Sequence, residues 1–535
     1  MFNSNFKKTT KMKNIFIKTF TIASIFAFVS CTEDFDTLNQ SPNQPLDVTT
    51  FGLFNNANKQ LTDGTRGPFS SGRMTLPWVQ YSAQRNYTNE DRFQFRQETN
   101  TALHTDLFTT AQNYRTIIEL CTAPETAQLS SNYGNINNQI AASRIMLSLT
   151  FLHLVDNYGD IPYYSYGNAD PDFQALQLRQ SSTTSPKFAS QEKIYIDIMK
   201  ELKEASEMIE DGETIFIQGD ILFGDTQKMK RFANSLRLRV ANRVKGVIPG
   251  AAAHITDAIA SGVMQSNDDN VGVTYQADDV FPSPMYRSFY VSNRTDFAVA
   301  NTFIDVLKGE LGVFGADPRL QKYAAPITAT RATVKAQSYS ETDDLTQYEG
   351  MPIGIPDALT ASQRSGTSLF SYNVLRQNYK EILMEYAEVE FLLSEVNGWN
   401  EANYKNGVTA SMERWGVDAE KITAFVNGLP AANQANVLNQ KYMALYMQPY
   451  EAWSEYRRTG FPNTLLLPGG TYPLNNPDPD GNTTYVFTPI VTATEMPARL
   501  TYPNTLSTLN GANYTAASAN IGGDLTTTKL IWDTN

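Results

Sequence analysis

Two cysteines and three histidines in 535 residues leave little material for bridges or metal chemistry. Cys31 and Cys121 are the only thiols, so the framework of paired cysteines that staples small exported domains is excluded. His104, His153 and His254 stand far apart, and none has a Cys or a second His at ligand spacing, which argues against zinc. The sequence lacks a G-x-S-x-G elbow, a phosphate-binding loop and a dinucleotide fingerprint. Basic residues are outnumbered 43 to 55, giving a net charge of −12 that becomes more negative once the five lysines near the start are removed. That balance excludes nucleic acid as a partner and electrostatic attachment to anionic lipid. The apolar stretch Phe20 to Val29, interrupted by Thr21 and Ser24, is far short of the roughly 20 residues of a transmembrane helix.

What is present begins with that stretch. Lys7, Lys8, Lys11, Lys13 and Lys18 precede it and Ser30 follows, which together read as a secretory signal over residues 1–30. Cys31 comes next, then Thr32, Glu33, Asp34 and Asp36. The run Phe28-Val29-Ser30-Cys31 resembles a bacterial lipoprotein box, with Phe28 where the pattern carries Leu. Cys31 is therefore the expected lipidation site, an ordinary signal beside an incidental Cys being the alternative. Acyl chains contribute about 0.8 kcal/mol per buried methylene, so a multiply acylated Cys31 is a durable anchor and the only expected membrane contact. Residues 31–45, CTEDFDTLNQSPNQP, are polar and read as a flexible tether with a reach of about 50 Å at ~3.3 Å per residue.

Residues 46–535 read as a single domain, mainly α-helical. Ile136, Ile140, Leu147, Phe151, Leu154 and Tyr158 recur at helical spacing; Ile194, Ile198, Leu202, Ala205 and Ile209 mark a second helix. Asp225 is a candidate N-cap for a third, which carries Phe232, Leu236, Val240 and Val244 on one face. Stretches 381–396, 403–416 and 436–460 are also expected to be helical, so helical pairs span about 50–260 and 380–460. Their arrival in pairs suggests stacked helical hairpins of the tetratricopeptide kind, although no clean repeat is present. Between about 262 and 375, and again over 461–535, Gly, Pro, Asn, Asp and Thr dominate, with minor β-like pieces such as VGVTY and TYVFTPIV. Loops of that length are usually functional. Cys121, in IIELCTAP, reads as a small buried hydrophobe.

Nine ordered stretches carry a resemblance. They are DFDTLNQSPNQP (34–45), LVDNYGDIPY (154–163), GDTQKMKRFANSLRLRVANRV (224–244), ADPRLQKYAAP (316–326), QYEGMPIG (347–354), MEYAEVEFLLSEV (384–396), NGVTASMERWGV (406–417), NQKYMALYMQPYEAWSEYRRTGFP (439–462) and PARLTYPNTLSTLNGANYTAA (497–517). On these the chain resembles the SusD/RagB family of nutrient-binding outer-membrane lipoproteins of Bacteroidetes. The resemblance implies a largely α-helical SusD-like fold with four tetratricopeptide-like helix pairs beside a loop-rich portion. It also implies a non-catalytic role at the cell surface, capturing a polymer fragment for a SusC-like TonB-dependent β-barrel transporter. The cargo in such systems is a glycan or, in some, a peptide. The acidic residues after Cys31 resemble the family's surface-export signal.

The shared motifs read as structural. Gly159 and Pro162 suit the end of a helix, Asp156 and Asp160 a cap or turn, and Arg457 and Arg458 a pairing with Glu455 that fixes a helix end. The resemblance points instead to two divergent aromatic regions for ligand contact. Sugars stack their C–H faces on flat rings while amides and guanidinium groups bond the hydroxyls. In TLPWVQYSAQRNYTNEDRFQFR (75–96) the candidates are Trp78, Tyr81, Tyr87 and Arg92, among Gln84, Arg85 and Asn86. In FPSPMYRSFYVSNRTDF (281–297) they are Tyr286, Phe289, Tyr290, Asn293 and Arg294. Trp78 and Tyr81, three apart, equally fit the buried face of a helix starting at Leu76. Trp415 and Trp453 read as core and Trp399 as an exposed turn residue. Asp478 and Asp480 in NNPDPDGNTT hint at calcium, but Pro489 occupies the twelfth position where an EF-hand carries Glu, and a plain turn fits as well. A two-carboxylate glycoside hydrolase is the rival function; the resemblance uses nearly the whole chain and leaves no segment for a catalytic domain.

Overall fold

A computed structural model describes residues 48–177 and 184–535. Cys31, the signal segment and the tether lie outside the described residues. Several helices begin where a small polar side chain accepts a backbone N–H from the first turn. Asn135 caps α3 (Ile136–Tyr158), Ser190 caps α4 (Gln191–Glu207) and Asp225 caps α5 (Thr226–Val244). Before these come α1 (Thr50–Arg66) and α2 (Gln97–Thr122), and after them α6 (Ala251–Ala260) and α7 (Asn301–Lys308). The second helical group holds α8 (Tyr386–Val396), α9 (Glu401–Arg414), α10 (Ala419–Asn427), α11 (Gln434–Ala444) and α12 (Pro449–Thr459); α13 (Gly511–Asn520) lies near the C-terminus. Successive helices pack on one another from α1 to α6, and α8 packs on both α9 and α11. Thr50–Asn535 form one compact unit.

Two expected helices are divided. Residues Lys380–Met384 are a strand, β4, that pairs antiparallel with β2 (Val271–Thr274), and α8 starts only after Glu385 at φ −130°. EILM is buried throughout, so its apolar run carries no period that separates helix from strand. The stretch 436–460 breaks at Met447, φ 67°, and restarts with Pro449 in the first turn of α12, where a missing N–H costs nothing. Two further antiparallel pairs join β1 (Ser82–Gln84) to β3 (Phe297–Val299), and β5 (Thr471–Pro473) to β6 (Thr484–Val486). The minor strands expected in VGVTY and TYVFTPIV are β2 and β6.

The shared motifs meet in one seam of buried charge. Arg243 on α5 bridges Asp156 on α3 and Glu451 on α12, while Arg239 bonds Glu388 on α8, with Nε 2.7 Å from Oε1. Arg458 binds Glu395 through two nitrogens at 2.8 Å each and also Glu455, which in turn accepts from Lys441 at 2.8 Å. Arg457 donates to the carbonyls of Asp156 and Ala498 at 2.8 Å and stacks 3.7 Å above Trp453. Trp532 closes over the seam: its indole N–H donates to Tyr195 at 2.6 Å and its ring centre lies 4.9 Å from the Arg457 guanidinium and 5.6 Å from that of Arg243. Asp160 instead caps α4, accepting from the Gln191 N–H at 2.9 Å, and Gly159 ends α3 at φ 84°. Cys121 is buried, with its sulfur 3.9 Å from Gln139. Trp415 and Trp453 are buried and Trp399 is a half-buried turn residue at φ 66°.

Burial alone would raise the Glu395 carboxyl, but Arg458, reinforced by Lys245, pulls it down to about 2. A folded-state value below that of the unfolded chain gives stability that is complete above the ordinary carboxylate range and is lost as pH falls toward 2. Glu395→Gln should therefore cost about 2–3 kcal/mol at pH 7 and progressively less between pH 4.5 and 2. Urea unfolding of both proteins across that range measures it, and a pH-independent difference would refute it.

Candidate functional site

Strand pairing β1–β3 brings the two aromatic regions side by side, and it continues one step further through the Arg85 N–H, which donates to the Asp296 carbonyl at 2.5 Å. Gly72 lets the preceding turn approach this pair, since a Cβ there would lie 3.0 Å from the Phe297 ring. The loop after β1 then exposes Tyr87, half of whose surface (51%) is open, at φ 62°. A bulky side chain in that left-handed conformation persists only where its surroundings impose it. Here Asp357 accepts both the N–H and the hydroxyl of Thr88, at 2.6 and 2.9 Å.

A second ring faces the same cation. The buried Arg73 guanidinium lies 5.4 Å from the centre of Tyr87 and 4.9 Å from that of Phe69, which is 48% exposed. Arg73 is held by Glu90 at 3.5 Å and Asp296 at 3.3 Å. Asp296 also accepts from Asn86 at 3.4 Å and lies 3.6 Å from Arg294, while Arg364 donates to the Asn86 side-chain oxygen at 2.8 Å. Two open rings on one clamped cation, edged by Asn86, Arg294 and Arg364, make a stacking platform with hydrogen-bonding groups at its rim. Asp91 accepts the Gln84 N–H at 2.8 Å, and burial pushes its carboxyl up to about 8.

Alongside, Arg331 holds the 287–294 turn. It bonds the Phe289 carbonyl and donates to Asn293 at 2.5 Å, and its guanidinium lies 5.4 Å from the centre of the Tyr290 ring. Lys335 lies 5.7 Å from the centre of Tyr286 and 5.4 Å from that of Tyr290. Tyr290 is half-buried; Asn293 and Arg294 are exposed.

The other expected contacts sit elsewhere. Trp78 is 1% exposed, its ring 5.1 Å from Trp453, and Tyr81 is fully buried, stacked on Tyr442 at 4.7 Å with its hydroxyl donating to the Tyr442 carbonyl. The helical turn Leu76–Trp78 directs this segment inward, so both are core residues and not a ligand surface. Phe289, at 0% exposure, packs against Phe297 and Phe370, and Tyr286 is buried, so neither offers an open face. Arg92 is half-buried and spends its Nε–H on the Thr488 carbonyl at 2.7 Å, tying the platform loop to the segment after β6. Of the nine expected contacts, Tyr87, Asn293 and Arg294 are therefore exposed and Tyr290 is half-buried, and Arg294 joins the platform through Asp296. Phe69 and Arg73 were not legible as site residues; the signal lay in Phe69 following Gly67-Pro68, a turn that leaves an aromatic outside. At the candidate calcium loop, the Asp478 carboxylate accepts from Asp480 N, Asn482 N and the Asn482 amide at 2.8–2.9 Å, a turn satisfied by its own donors. Among the described residues no three His, Cys, Asp or Glu side chains group as metal ligands.

The model of a SusD-like family, described as starch-binding and associating with the outer membrane, matches residues 42–485. The chain belongs to the SusD-like family. Solved structures share this SusD-like fold. A chitin-binding protein is 24% identical with a TM-score of 0.70, covering 91% of this chain and 100% of its own. A chitin-binding SusD homologue from Flavobacterium johnsoniae is 22% identical at 0.65, covering 91% and 99%. A SusD homologue from Parabacteroides distasonis is 18% identical at 0.70, covering 91% and 98%. No curated protein sequence matches. Among the described residues no helix is long and apolar enough to cross a membrane.

Proposed function

We propose that this protein is a non-catalytic, Cys31-anchored lipoprotein of the cell surface that captures a glycan and passes it to a SusC-like TonB-dependent transporter in the outer membrane. The observation that carries the glycan reading is the Phe69–Arg73–Tyr87 platform, two open rings with amide and guanidinium donors at the rim. Family membership supports the outer-membrane part, and the chitin-binding names of two structural neighbours support a sugar cargo. Peptide capture calls for backbone-pairing groups such as an open strand edge more than for stacked rings.

Affinity electrophoresis on a panel of neutral polysaccharides (starch, chitin oligomers, β-glucans and fructans), with a reducing-end assay on the same mixtures, tests this. Retardation by at least one glycan without release of reducing ends is expected. Sugar release would replace capture with hydrolysis, and indifference to every glycan alongside retention of peptides would replace the cargo.

A further inference from the structure

A second recess, independent of the platform, lies beside the β2–β4 pair at the C-terminal end of α9, with a volume of about 430 Å³. That is within the range of small-ligand sites. Its walls carry three cations, Arg376, Lys380 and Arg414, with Asn373, Tyr379 and Trp415 between them. Several donors here lack a protein acceptor, and the Glu385 Oε2 that faces Arg414 makes an ion pair with it without a hydrogen bond. Arg414 Nε is 3.2 Å from Glu385 and its Nη2 donates to Tyr379 at 3.4 Å, but its buried Nη1 has no protein acceptor. The same holds for Arg376 Nε and for the indole N–H of Trp415, a residue 7% exposed.

Lys380 spends one of its three ammonium donors on the Asn270 carbonyl at 2.8 Å. Burial, with Lys228 and Arg414 nearby, pushes it down to about 8, so it keeps its charge at neutral pH in surroundings that oppose it. The Glu385 carboxylate shares itself between Arg414 and the Gln448 amide, which donates at 3.0 Å. Buried donors left without acceptors are costly, and those on charged groups most of all. An anion entering the recess meets Arg376, Lys380 and Arg414 on its walls, and the adjacent Trp415, Tyr379 and amide side chains suit a sugar ring carrying it.

We propose that this recess binds an acidic sugar residue, its carboxylate or sulfate ester seated between Arg376, Lys380 and Arg414. The site is separate from the Tyr87 platform and does not rest on that reading: a chain that ignored every neutral glycan would leave it standing.

Isothermal titration of the whole protein with digalacturonate, glucose 6-sulfate, sodium acetate, sodium sulfate and maltose tests it. Digalacturonate or the sulfated glucose should bind, with affinity falling at least tenfold in Arg376→Gln and in Lys380→Gln, while retention on neutral glycan gels is unchanged. Two variants at separate half-buried positions guard against misfolding in either, checked by circular dichroism. The carboxylate and sulfate arms separate the two sources of charge. The proposal is overturned if neither acidic sugar binds, if acetate or sulfate binds as well as the sugars do, or if both variants keep wild-type affinity.

Discussion

Replacing Phe69 and Tyr87 together by alanine should weaken binding of the best neutral glycan by about 30- to 150-fold. Each ring contact is worth about 1–1.5 kcal/mol in stacking, and the two sum to about 2–3 kcal/mol of affinity. Both rings project from turns and are about half exposed, so the melting temperature should hardly move. This separates a binding loss from a folding loss, which a triple replacement of Tyr286, Phe289 and Tyr290 cannot do, because Phe289 and Tyr286 are core. Titration calorimetry on wild type, the two single variants and the double variant reads the result. Unchanged affinity in the double variant removes the platform from glycan capture.

Arg243→Ala should be the most damaging substitution for stability. The guanidinium is 0% exposed and stands between Asp156 and Glu451, so its removal strands two buried carboxylates that no other side chain can neutralise as well. Breaking a buried pair in this way costs about 3–5 kcal/mol. Asp156 already shows the strain of burial, which raises its carboxyl against the pull of Arg243. Equilibrium unfolding in urea would report a lower midpoint with little change in slope. A cost below about 1 kcal/mol would mean that water or the neighbouring Arg239 and Arg457 take over the charge. The prediction also distinguishes the seam from the platform, since glycan affinity of the folded fraction should stay at the wild-type value.

The helical half was legible because its signals are local. The cap at Asp225, the glycine after Tyr158 and the 3.6-residue spacing of Ile140, Leu147 and Phe151 all act within a few positions. The pairing of Arg458 with Glu455 was legible because the two lie three apart on one helix; that Asp156, Arg243 and Glu395 join them in one charge seam was not, because these come from other helices. The platform was legible only in outline. Its residues come from the turn after Pro68, the loop after β1, the segment before β3 and Arg364, and they meet only because Ser82 pairs with Val299. Aromatic content cannot distinguish Tyr87 from Tyr81, six positions earlier; the left-handed turn at Tyr87 that exposes one, and the Tyr442 ring that covers the other, are both tertiary. The recess was invisible for a related reason, its cations being contributed by a loop, a strand and a helix end.

The cover that Trp532 lays over Arg243 and Arg457 has a practical side. Replacing Trp532 by alanine, or inserting a bulky reporter beside it, would remove this lid and wet the guanidinium groups beneath it. Purification handles and fluorescent reporters are better inserted in an exposed loop such as 478–482, where Asp478 closes a turn on itself.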